Sequence, residues 1–295
     1  SRQLVVSRVI DAHFVEEADR VLVALRNLID GSLKARVSEI PGYQPLLLVT
    51  AYAARNTFNT IRFLLADTPQ HHDRKLEYGL AVSPLIRFLI DLLFTIVVIR
   101  QKPRKYVMWY HRSGWRELKE ALNRLKAEPG AAKRFSRQIT KQSDALEYLR
   151  KTYKISLKAA RSPDKIPYWP HPGQFLKNKK LRLRPRQFLS YLYTWFYSEL
   201  SQEAHASSAG VVRMYSKLLI ESTDVDRERI LKLVKSNNFM MSLVLALSIA
   251  TELNDIGRFD RGPKLKYLWQ VLVSECFDGK RLFDRRYRGM LRRHS

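Results

Sequence analysis

Apolar residues along this chain recur every three or four positions, and no sustained stretch alternates apolar with polar. The first spacing lays a stripe on one face of an α-helix, whereas a half-buried strand would need the second. The opening helix is predicted over Val5 to Ile29, carrying Val9, Ala12, Val15, Val21, Val23 and Leu28 before Gly31 stops it. A second follows Pro41-Gly42, runs from Gln44 to Ala66 and ends at Asp67-Thr68-Pro69. Ser83-Pro84 reads as an N-cap with proline at the first helical position, and it launches Leu85 to Arg100. Pro103 opens the next helix, which continues through Tyr106, Trp109, Trp115 and Leu118 to Pro129-Gly130.

The clearest amphipathic pattern starts at Ala131 and reaches the neighbourhood of Ser156. Phe135, Ile139, Gln142, Leu146, Leu149, Tyr153 and Leu157 recur at helical spacing, a seam expected to pack inside the molecule. Ser162 to Gly173 interrupts it. Pro163, Pro167, Pro170 and Pro172 exclude regular helix there, and Tyr168, Trp169 and His171 make the loop aromatic. Helix resumes from Pro185 through Tyr191, Trp195 and Leu200 to about Ala206, with further helices at about 208–221, 225–254 and 264–276.

The fold class is therefore all-α: an irregular multi-helix bundle with a proline/aromatic loop and basic surface segments. Its expected parts are an N-terminal helix (1–42), a main helical domain (43–256), and a C-terminal helix with an arginine-rich tail (257–295). Leu85–Ile99 and Phe239–Ala250 are apolar on nearly every side. Arg87 and Asp91 interrupt the first and the second is only about a dozen residues, so both are expected as buried core helices, not membrane spans. A single cysteine, Cys276, rules out a disulfide within the chain and fits a reducing, cytoplasmic setting.

Charge changes the picture most. The chain holds 53 Lys and Arg against 28 Asp and Glu, a formal net charge of +25. Such a field opposes compaction unless an anionic partner relieves it, and a phosphate backbone does so by releasing its counterions. Nine basic residues lie between Ala131 and Arg161 against Asp144 and Glu147, and seven lie between Lys165 and Ser198 with no acid. Nucleic acid is the expected partner, held by Lys177, Lys179, Lys180, Arg182, Arg184 and Arg186, by the helix from Lys133 to Arg161, and by Arg285, Arg286 and Arg288 near the end. Tyr168 and Trp169 are candidates to stack unpaired bases beside them. No base-reading module is evident, so shape or backbone recognition is expected. An acidic protein would satisfy the same charge, and an oligomer or a place in a larger complex is compatible with it.

Two constellations bear on chemistry. Tyr197, Ser201 and His205 follow at intervals of four on one side of a helix, and Arg87 and Asp91 stand one turn apart on an otherwise apolar one. If they meet, they form either a register-fixing polar network or a site for an anionic ligand or proton transfer, in an enzyme acting on RNA or a phosphorylated substrate. Helical ribonucleases of the HEPN type pair an Arg with a His after four to six residues. Arg8 with His13, Arg104 with His111 and Arg288 with His294 match, but about two matches are expected from composition alone. His71-His72-Asp73 falls in a turn, and His13 with Glu17 lacks further ligands, so no metal is expected. No Walker loop, nucleophile elbow or dinucleotide fingerprint occurs, and no cofactor is implied.

Tyr168-Trp169-Pro170, the basic stretch after it, and Tyr197, Ser201 and His205-Ala206-Ser207 together resemble a family of uncharacterised bacterial all-helical proteins, a domain of unknown function. That family also carries an Arg followed one turn later by an acid, usually Glu. Arg87 matches the Arg, and Asp91 stands where Glu is usual. The resemblance spans about residues 45 to 255. It implies the helical fold and these candidate residues and brings no established activity. The kind of protein it resembles implies an accessory or effector role in a bacterial defence or mobile-element system.

Overall fold

The two most apolar stretches of the sequence lie against each other at the centre of the molecule. The computed structural model describes residues 12–32, 40–65, 78–177, 181–197 and 224–292, and among these every regular element is helical. The first four helices are α1 (Ala12–Ser32), α2 (Tyr43–Leu65), the single turn α3 (Tyr78–Ala81) and α4 (Ser83–Gln101). Then come α5 (Pro103–Ala127), α6 (Ala131–Arg134), α7 (Ser136–Thr152), α8 (Leu157–Arg161), α9 (Pro172–Lys177) and α10 (Leu183–Leu192). The last part holds α11 (Asp224–Gly257), α12 (Gly262–Glu275), α13 (Phe277–Leu282) and α14 (Arg288–Leu291).

α4 packs along α11, and α1 and α2 close over the pair. Ile86, Leu89, Ile90, Leu93 and Val97 of α4 are buried on one side while Phe94, Val98 and Ile99 are buried on others, so the second half of this helix is surrounded. α11 is buried without a break from Ser242 to Asn254. By length and composition its stretch Glu228–Gly257 could cross a bilayer, but 72% of its most apolar window is buried against the rest of this chain. Each fully buried aliphatic or aromatic side chain here contributes about 1.5–3 kcal/mol. Phe14, Ala18, Leu22, Leu25 and Ile29 make the stripe of α1, and Ala51 and Ala54 of α2 are small enough to let the backbones approach.

Boundaries differ from the sequence reading in four places, the first being a break at Phe135 that splits the helix expected from Ala131 into α6 and α7. Ser83 is not the N-cap of α4. The preceding turn leaves Val82 already in right-handed helical conformation, so Ser83 enters the helix as a buried residue and Pro84 sits in its first turn. The seam from Ala131 does not reach Leu157. Lys154 adopts a positive φ of 51° that ends α7, and Leu157, in the separate α8, is 61% exposed. The C-terminal arginines are not a tail, since Leu282, Tyr287, Met290 and Leu291 anchor α13 and α14 in the main core. The expected helix at 208–221 and the stretch from Val5 to Asp11 lie outside the described residues.

A second, smaller core lies to one side. Trp115 and Leu122 of α5 meet Leu146 of α7, Tyr153, Ile155 and Ile166, and the Trp115 indole N–H donates to the Leu146 carbonyl at 2.8 Å. α5 is the shared beam: its first turns, with Tyr106 and Val107, belong to the main core. At its middle His111 donates through Nε2 to the Gly42 carbonyl at 2.9 Å and stacks on Tyr153 with centroids 4.3 Å apart. Gly42 can sit there because its φ of 81° favours glycine and because a Cβ would strike the imidazole. His111 thus ties α5 to the turn before α2 and to Tyr153.

Burial holds the His111 pKa below the usual 6.5. A neutral imidazole in the folded state and a more basic one in the unfolded chain give a stability that is full above about pH 6.5 and lost as pH falls through it. Urea melts at about pH 7.5 and about pH 5 should show the loss. His111→Gln, which keeps an N–H for Gly42, should flatten that part of the profile.

Candidate functional site

A cleft of about 430 Å³ opens where α4, α5, the proline/aromatic loop and the end of α10 converge. Arg87 and Asp91 of α4 form one wall, with Phe94 and Thr95 a turn further on. Tyr197 reaches it because α10 widens into a π-type turn over Tyr193–Tyr197, a distortion frequent at functional sites. Arg87 Nη2 donates to the Tyr197 hydroxyl at 3.1 Å, and its guanidinium lies 5.2 Å from the centre of that ring. Burial raises the Tyr197 pKa, which the Arg87 hydrogen bond partly opposes. Arg87 and Asp91 pair at 3.9 Å. The pair is not buried as the sequence led us to expect: the Arg87 side chain is 19% exposed and that of Asp91 39%, because both lie on the cleft wall.

The opposite wall comes from α5 and the loop. Tyr106, Tyr110, Ser113 and Glu117 follow at intervals of four, three and four, one stripe of a helix. Ser113 accepts from the Trp169 backbone N–H at 2.5 Å and donates to Glu117 at 3.2 Å, which fastens the loop to the helix. Trp109 donates to the Pro167 carbonyl at 3.2 Å, and Arg116 donates to the carbonyls of Asp164 and Ile166 at 3.1 and 2.6 Å. A loop so rich in proline lacks the backbone donors to satisfy all of its carbonyls, and side chains of α5 serve those of Asp164, Ile166 and Pro167. Tyr110, Ser113 and Glu117 line the cleft together with the loop's His171, and these three α5 residues went unnoticed in the sequence. The α5 stripe is the signal that could have found them.

The two aromatic candidates for base stacking are already engaged. The Trp169 ring is packed 5.2 Å from Tyr110 and 4.8 Å from Phe175, so it plugs the loop onto the core, and what stays open of it lines the cleft. Tyr168 remains 46% exposed, but Arg116 covers one face at 3.7 Å and its hydroxyl donates to Glu120 at 2.5 Å. That bond, with Arg116 beside it, draws the Glu120 pKa down.

Among the basic candidates, Lys177, Arg182 and Arg184 are exposed and Arg186 is half-buried. Arg285 is exposed and lies over the Tyr191 ring at 4.6 Å, and Arg288 is exposed and paired with Asp284. Arg286 needs correcting as a surface contact. Its side chain is only 10% exposed and bonds both oxygens of the fully buried Glu252, so it serves the core. Ser201, His205, Lys179 and Lys180 lie outside the described residues. Among the described residues no group of three His, Cys, Asp or Glu is placed to hold a metal ion.

Every residue of the cleft falls between positions 87 and 197, inside the 46–224 span matched by one family model, which covers more than half of the chain. The chain belongs to DUF5677, a family of unknown function. No curated protein and no solved structure matches it. The DUF5677 region thus contains both cleft walls and the loop between them, together with the small α5–α8 core.

Proposed function

We propose that this member of DUF5677 is a nucleic-acid-associated helical protein whose principal contact is the lobe built on α5 to α8. The charge of that lobe carries the reading. Residues 121–165 hold twelve Lys and Arg against four Asp and Glu, a net of +8 in under a sixth of the chain. Eleven of the twelve cations are exposed. They stand on a folded surface with its own small core, so their spacing is held instead of averaging over a flexible chain. Fixed, exposed cations at this density attract phosphates and release counterions from them, with affinity that carries little sequence information. Lys177, Arg182 and Arg184 add exposed positive charge outside the lobe.

Lys133, Arg134, Arg137 and Lys141 are the direct test, since all four are exposed and clustered over α6 and the start of α7. Replacing them with Ala should weaken binding to labelled RNA or DNA by about tenfold or more at moderate salt, without base dependence, while the melting transition stays put. Fluorescence anisotropy would read it. Unchanged affinity would remove the lobe from the interface. No binding by the parent chain at low salt would turn the reading towards an acidic protein partner.

A further inference from the structure

Charge on the lobe does not explain the cleft, whose chemistry is of another kind. Phe94, Tyr110, Trp169, Phe175 and Tyr197 put aromatic rings into a lining that also holds Arg87, Asp91, Ser113, Glu117 and His171, and its volume of about 430 Å³ is that of a small-ligand site. A planar guest fits such walls, whereas a bare phosphate would meet Arg87 but be repelled by Asp91 one turn away. The pair itself is selective. A guanidinium only donates hydrogen bonds, and an ionised carboxylate only accepts them. A guest that bonds both oxygens of Asp91 and also meets Arg87 places two neighbouring donors on the carboxylate and an acceptor beside them for the guanidinium.

Among the common bases only guanine has that edge, with N1–H and the N2 amino group side by side and O6 next to them. Adenine offers one donor group beside an acceptor, cytosine one donor group beside two acceptors, and uracil one N–H between two acceptors. The geometry points to a guanine-selective pocket on Arg87 and Asp91, taking an unpaired guanine of a nucleic acid or a free guanine nucleotide. This rests on the nucleic-acid reading only for the first of those sources.

Calorimetric titration of the full chain with the four ribonucleoside monophosphates tests it without the lobe. Guanosine monophosphate should bind at least about tenfold more tightly than the other three, the discrimination a bidentate base contact supplies. Asp91→Asn, which replaces one acceptor oxygen by a donor, should abolish that preference. The Lys133, Arg134, Arg137 and Lys141 quadruple alanine variant should retain it, so failure of the lobe reading and failure of the pocket are told apart. A short oligouridylate with and without one terminal guanine then separates the sources. A gain from that guanine assigns the pocket to nucleic acid, and no gain assigns it to the free nucleotide. Equal affinity for all four monophosphates, or no heat with guanosine monophosphate at millimolar concentration, would overturn the proposal, and this wild-type result decides even where the variant folds poorly.

Discussion

Glu252→Ala should destabilise the protein by about 3–5 kcal/mol, the largest loss expected from any single charged residue described here. Glu252 is wholly buried on α11, and both of its oxygens are bonded. Arg286 reaches Oε1 through Nε and Oε2 through Nη2, the latter at 2.9 Å, and Arg100 donates to Oε2 at 2.9 Å while also pairing with Asp255. Alanine would leave Arg286, with a side chain only 10% exposed, facing the core without its carboxylate. An uncompensated buried charge is costlier than the pair was favourable. For that reason Glu252→Leu combined with Arg286→Met should recover much of the loss. Urea midpoints at constant slope would measure both, and a drop below about 1 kcal/mol for the single alanine would show that the network does not hold the C-terminal helices.

Trp115→Ala should open the α5–α8 lobe while the main body stays folded. The small core has few members, and Trp115, 3% exposed, is its largest side chain. Truncation costs about 3–5 kcal/mol in lost burial and cavity, and the indole donor to the Leu146 carbonyl goes with it. A core of this size has no reserve to absorb that. The α4–α11 centre does not depend on it, since Trp115 belongs to the smaller cluster alone. Hydrogen exchange should therefore lose protection across 136–152 and keep it across 242–254. Uniform loss in both would mean that the lobe and the body unfold as one unit.

What was legible in the sequence was whatever a local pattern specifies. Long apolar stretches announced α4, broken only by Arg87 and Asp91, and the centre of α11, since a helix apolar on nearly every side belongs in a core. Spacing of three and four announced α7, and clustered prolines announced the loop. Arg87 and Tyr197, 110 residues apart, were both singled out, and the fold brings them into hydrogen-bonding contact. What could not be read was how far charges cancel. Arg286 looked like one more surface cation, and only tertiary structure brings Glu252, 34 residues earlier, to neutralise it. A hint was present all the same, because carboxylates at Glu252 and Asp255 inside an apolar run require buried cations. The role of Trp169 was equally beyond local reading: whether an aromatic residue plugs or protrudes depends on where Tyr110 and Phe175 fall.

The central claim is that a folded, cationic lobe contacts nucleic acid through phosphates. Its most direct measurement is the salt dependence of affinity for labelled single-stranded and duplex RNA and DNA, made on the parent chain and on the Lys133, Arg134, Arg137 and Lys141 alanine variant. The account predicts a linear fall of log affinity with log salt, steeper for the parent by up to about 0.7 per lost contact on single strands and about 0.9 on duplex DNA. Equal slopes for the two proteins, or no binding at low salt by a folded parent chain, would contradict it.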